Sequence, residues 1–225
     1  PEIDGFKPSH RKLLYTMYEM GLLKGARTKS ANIVGSTMHL NPHGDAATRV
    51  RDAVNAELKS RGMQPDAKIF CELLAVADES WQDCVEACLQ IATALLLLFL
   101  EQGMQVALYC NGIDTISGDP CILEAGGGVR QRNVCLQTLA RIDTAKPVQS
   151  FSELFAARMS DASNALYTCF VSPNAYEDFA ALLLQYQEKH PDMKWFYPYS
   201  ESTPPDPGEA LKSLITFISL REESV

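Results

Sequence analysis

With 225 residues, 46% of them hydrophobic and 21% charged, the chain can bury one sizeable core or two modest ones, and disordered, collagenous and low-complexity classes are excluded. Its formal net charge of -8 is unevenly spread: residues 1–47 carry six Lys/Arg against four Asp/Glu, while residues 48–225 carry 14 against 24. Phosphate contacts need clustered Lys and Arg, so a nucleic-acid surface is expected only at the front, and the acidic remainder would repel a nucleic-acid backbone.

Leu13, Leu14, Met17 and Tyr18 recur at helical spacing after Pro8 and Ser9, which suit a helix start, and Gly21 and Gly25 bracket its exit. Ser30 suits the cap of a second helix, with Ile33, Val34, Thr37 and Met38 on one face, and Asp45 in the turn "NPHGD" suits the cap of a third. Short helices joined by tight glycine turns make a helix-turn-helix plan, a spacing that an ordinary helical hairpin also satisfies. "GDAATRVRDAVNAELKSRG" then places Ala46, Ala47, Val50, Ala53, Val54 and Leu58 on a nearly continuous helical face. "KIFCELLAV" reads as a buried strand, with Asp78 or Ser80 capping the next helix and Trp81 near its start.

In "VEACLQIATALLLLFLEQG" the apolar run from Ile91 to Leu100 is about half of the roughly 20 residues that a membrane span requires, so it reads as a buried core helix. The order continues with a strand "MQVALYC", a turn at Asn111-Gly112, and a helix led in by "GGGV". A strand "ALYTCFVSP", a helix "NAYEDFAALLLQYQEKH" and a strand "MKWFYPY" follow, and "STPPDPG" makes a rigid turn before a last helix. Alternating helices and apolar strands predict an α/β sandwich with a mainly parallel sheet.

Catalytic and cofactor motifs are scarce. The seven cysteines form no C-x-x-C pair and read as reduced thiols; Cys84 and Cys88 share a helical face but have no nearby histidine, so no zinc site is expected. Gly126 to Gly128 lack the following Lys-Ser/Thr of a phosphate loop and read as a flexible lead-in to a helix. His190 sits at a helix end, where it complements the helix dipole. No cofactor, no metal and no membrane contact are expected. With no basic-then-apolar leader and no initial Met, the chain reads as a processed or excised piece of a cytoplasmic protein.

"DGFKPSHRKLLYTMY", "TKSANIVG" and "NPHGDAA" resemble, in order and spacing, the winged-helix region of the A chain of the bacterial type IIA topoisomerases, topoisomerase IV and gyrase. The resemblance covers residues 1–47 and implies that Lys7, His10, Arg11, Lys12, Lys29 and Ser30 face double-stranded DNA, with His43 close to the cleavage centre. Helix N-termini joined to Lys and Arg make phosphate sites, which agrees with that implication. The family's catalytic tyrosine with its adjacent arginine has no counterpart here, because the helix opened by "GDAA" runs on as "TRVRDAVNAELKSRG". Catalytic residues are therefore expected to be absent, and strand cleavage by this chain alone is not expected.

Residues 49–84, around "PDAKIFCELLAVADESWQDCVE", resemble the hinge-proximal region of SMC-like ATPases. Residues 85–225, through "LEQGMQVALYCNG" and "AGGGVRQ", resemble the C-terminal half of a von Willebrand factor A-like bacterial family. Domains of that kind bind a divalent ion through Asp-x-Ser-x-Ser, which this sequence lacks. Three truncated resemblances, over 1–47, 48–84 and 85–225, read as a composite. Its expected function is DNA binding by the front segment, and the alternative is a non-enzymatic von Willebrand factor A-like scaffold that binds a protein partner.

Overall fold

The computed structural model describes residues 8–22, 33, 44–61, 66–73, 79–143, 150–159, 166–174, 177–188, 192–201, 203–206 and 208–220. Residues 1–45 form one compact unit and residues 46–225 another.

In the first unit, α1 (Pro8–Glu19) is a helix with Thr16 buried and with Leu14, Tyr15 and Tyr18 exposed. It ends where the sequence places its stop. Gly21 adopts φ 67°, its N–H donates to Tyr18 O at 2.9 Å, and Leu22 N–H donates to Met17 O at 2.9 Å. A left-handed glycine satisfies the last carbonyls of the helix in this way. Of the predicted second helix only Ile33 lies within the described residues, where it is helical, and the helix expected after Asp45 is observed over Gly44–Arg61.

The second unit is α/β. Helices α2 (Gly44–Arg61) and α3 (Glu79–Glu101) flank β1 (Asp66–Cys71) in sequence, and β2 (Val106–Asp114), β3 (Pro120–Gly126), α4 (Gly128–Ala140) and β4 (Ile142–Asp143) follow. The chain continues through α5 (Phe151–Met159), β5 (Leu166–Val171), α6 (Glu177–Gln187), β6 (Met193–Tyr199) and β7 (Ile215–Ser219). The sheet order is β3-β2-β1-β5-β6-β7, with β4 paired to β2 off this path. Strands β2, β1, β5, β6 and β7 run parallel, and β3 and β4 are antiparallel to β2. The predicted α/β class with a mainly parallel sheet is therefore observed. Segments 48–84 and 85–225, distinct in the sequence resemblances, share this sheet through β1, which pairs with β2 on one side and β5 on the other.

Strand periodicity builds the two cores. Along β1, Ala67, Ile69 and Cys71 join a cluster with α2 and α3, whereas Phe70 joins the opposite cluster with α5 and α6. The α3 face holds Cys88, Ile91, Leu95 and Phe99, all fully buried. On the other face Phe70 stacks on Phe170 at 5.4 Å, and Phe155 and Phe179 meet Phe170 edge-on at 5.1 and 5.9 Å. Three cysteines lie in register across adjacent strands, Cys71 opposite Cys110 and Cys110 opposite Cys121.

Two sequence expectations are corrected. Asn111-Gly112 makes no turn, because β2 runs through it: the Asn111 side chain ties the backbone of Leu73, and a Cβ on Gly112 would meet Ile142 and Leu73 side-chain carbons at 2.8 Å. The stretch after "STPPDPG" ends in strand β7 rather than a helix, since its apolar Ile215 and Ile218 are recruited alongside β6. The glycine lead-in at 126–128 is observed. Gly127 is an extended N-cap without a side-chain cap, and Gly128 has φ 67°.

Candidate functional site

Open parallel sheets bind ligands beyond the carboxyl ends of their strands, where the chain turns to opposite sides of the sheet. From β1 the chain crosses through α3 to β2 on one side and later returns to β5 on the other, so this switch falls between β1 and β5. Glu72 and Leu73 follow β1, and Ser172 and Asn174 follow β5. The Glu72 N–H donates to Val171 O at 2.9 Å, and the Ser172 N–H donates to Phe196 O at 3.2 Å. The Ser172 hydroxyl donates to the Glu72 carboxylate. The indole Nε1 of Trp195 donates to Ser172 O at 3.1 Å. Asn111 holds Leu73 from both sides, its Oδ1 accepting from Leu73 N–H at 2.7 Å and its Nδ2 donating to Leu73 O at 3.0 Å.

This cluster is buried, with Glu72 only 4% exposed and Ser172 fully buried. Burial pushes the Glu72 carboxyl up to about 7, against the opposing pull of the Ser172 and Asn174 side chains. The Asn174 amide nitrogen is close enough to favour the carboxylate, yet it is buried and makes no hydrogen bond of normal geometry among the described residues. The arrangement can hold or release one proton near neutrality. Motif reading misses it; the available signal is a glutamate set within the apolar run "KIFCELL".

Of the residues assigned to DNA contact, His10, Arg11 and Lys12 fall on the backbone of α1, which has no acidic residue in its first turn. Lys7, Lys29, Ser30 and His43 lie outside the described residues, as does His190. The seven thiols are buried and unpaired by disulfides. Burial pushes the Cys121 thiol up to about 12 and Cys135 up to about 11, and it raises Cys84, Cys88 and Cys169 as well. Among the described residues no group of three or more His, Cys, Asp and Glu side chains could hold a metal ion. The ion implied by a von Willebrand factor A-like fold does not fit this chain. The sequence contains no Asp-x-Ser-x-Ser stretch to hold it.

Helix α3 contains 19 residues, 83–101, apolar enough to cross a membrane by length and composition, but 72% of the most apolar window is buried inside the protein. The expected core helix is observed.

Comparison with known proteins matches residues 1–54 to the family of the DNA gyrase/topoisomerase IV A chain. The DNA gyrase A chain of Haloquadratum walsbyi is 50% identical over 46 residues, covering 20% of this chain and 5% of the relative. The corresponding protein of Thermotoga maritima is 56% identical over 45 residues, covering 19% and 6%. The DNA topoisomerase 4 A chain of Borreliella burgdorferi is 44% identical over 45 residues, covering 20% and 7%. No solved structure matches the chain. The N-terminal segment is thus similar to the A chain of DNA gyrase and topoisomerase IV, and this chain spans 5% to 7% of the length of these three relatives.

Proposed function

We propose that the chain binds the backbone of double-stranded DNA through residues 7–43 and does not cleave DNA by itself. The observation that carries this reading is the segment similar to the gyrase and topoisomerase IV A chain, with His10, Arg11 and Lys12 at the start of α1. Cations at the positive end of a helix dipole are mutually unfavourable, and a bound phosphate relieves both charges at once. Lys7, Lys29, Ser30 and His43 would extend the contact. The missing Arg-Tyr nucleophile pair supports binding without cleavage.

Duplex titration across salt concentrations tests the reading. With about three or four phosphates engaged, the logarithmic salt slope should be on the order of -3 to -4, and replacing Arg11 and Lys12 together by Ala should reduce its magnitude by roughly 2. Phosphate contacts carry little sequence information, so affinity should not depend on the duplex sequence. Absence of binding at low salt, or a slope indifferent to the double substitution, refutes DNA contact. A covalent adduct with purified chain refutes the non-cleaving half.

A second reading concerns residues 46–225 as a non-enzymatic, von Willebrand factor A-like interaction scaffold. Its support is the doubly wound order with a short antiparallel strand at one edge. The SMC-like likeness of residues 49–84 adds no separate function to it, since α2 and β1 lie within the same α/β core.

A further inference from the structure

Helix α2 lies against the β6 and β7 side of the sheet and leaves an open cleft of about 370 Å³. That volume falls within the roughly 300–1,000 Å³ of small-molecule sites. The floor is apolar, made by Val50, Phe196 and Phe217, and the charged residues around it are Arg49, Glu57 and Lys194. The charges do not cancel. Glu57 Oε2 lies 3.7 Å from Lys194 Nζ and also accepts a hydrogen bond from Tyr167 at 3.2 Å. Arg49 donates to Ser219 O at 3.3 Å, and no carboxylate among the described residues pairs with it. A guanidinium carries five N–H donors, so most of its donating capacity remains available.

The rim therefore keeps one unmatched positive charge above an apolar floor, in a chain whose net charge is -8. We propose that this cleft binds a small monocarboxylate with an apolar body, its head group held by Arg49 and its body lying on Val50, Phe196 and Phe217. Arginine suits that head group because its planar fork donates to both carboxylate oxygens at once. Glu57, already matched to Lys194, repels a second negative charge and restricts the ligand to one.

Isothermal titration of the full chain with octanoate, octylammonium and 1-octanol tests the assignment. Octanoate should bind at least tenfold more tightly than either analogue. Arg49→Gln should weaken octanoate at least tenfold while leaving 1-octanol unchanged, and Ala53→Trp, placed on an exposed position lining the cleft, should abolish binding of both. Glu57→Gln removes the rim anion and should tighten octanoate severalfold, a result independent of the Arg49 variant. Thermal melts of each variant should show cooperative unfolding. The proposal is overturned if octanoate does not bind, if octylammonium binds equally well, or if either folded variant, Arg49→Gln or Ala53→Trp, binds octanoate as the parent does.

Discussion

Glu72 ends an apolar strand at the one place where the sheet's chain path divides, and its carboxyl is tuned by two opposed effects. Removal from water raises its pKa from 4.5 to about 7, while the hydrogen bond from Ser172 and the nearby Asn174 amide restrain the rise. The linkage sign follows. Below pH 4.5 the carboxyl is protonated in both folded and unfolded chains and imposes no penalty. Between 4.5 and about 7 the unfolded chain ionises first, so stability falls as pH rises, by about 3 kcal/mol in all, and above that window the penalty is constant. Glu72→Gln should therefore be more stable than the parent at pH 8 by about 1–3 kcal/mol and show a flatter stability profile from pH 4.5 to 7. Urea melts at several pH values check this, and parallel profiles for the two proteins contradict it. Residue type and spacing made the basic stretch at Lys7 to Lys12 legible, because like charges were adjacent in sequence. The Glu72–Ser172 pair was not legible, because its members lie 100 positions apart and meet only through strand pairing.

Helices and strands show the same division. Amphipathic spacing reveals α1, α2 and α3, and the strands β5 and β6 were visible as apolar runs bounded by turn residues. Strand β3 was hidden by its glycine-rich end, and β7 by a short apolar pattern that fits a helix or a strand equally well. Helix α3 packs on the sheet with Leu95 fully buried, so Leu95→Ala should cost about 2–5 kcal/mol in denaturant melts, as cavity-forming core substitutions do. Helix α2 makes a sharper case. Val54 lies at the end of the topoisomerase-like match yet is 2% exposed in the α/β core. Val54→Asp should destabilise residues 46–225 by several kcal/mol through an unpaired buried charge, whereas Asp52→Ala, exposed on the same helix, should change stability by about 0.5 kcal/mol or less. Equal effects in calorimetry would remove α2 from the core.

At the scale of the whole molecule, the compact unit 46–225 carries both hydrophobic clusters described here. An excised chain of residues 46–225 should unfold cooperatively, and one beginning at residue 62 should not, since it leaves the seats of Val50, Val54 and Leu58 uncovered. Circular dichroism and calorimetry of the two excised chains decide this, and equal cooperativity would show α2 to be dispensable. All seven thiols lie inside this unit, three of them side by side across β1, β2 and β3. Sulfur chemistry thus becomes a clock for the molecule's breathing: a small alkylating reagent meets no thiol until the fold opens. If opening is global, mass spectra taken during slow alkylation should contain mostly untouched and fully sevenfold-labelled chains, with few intermediates, and the rate of their exchange would measure how often the closed sheet comes apart.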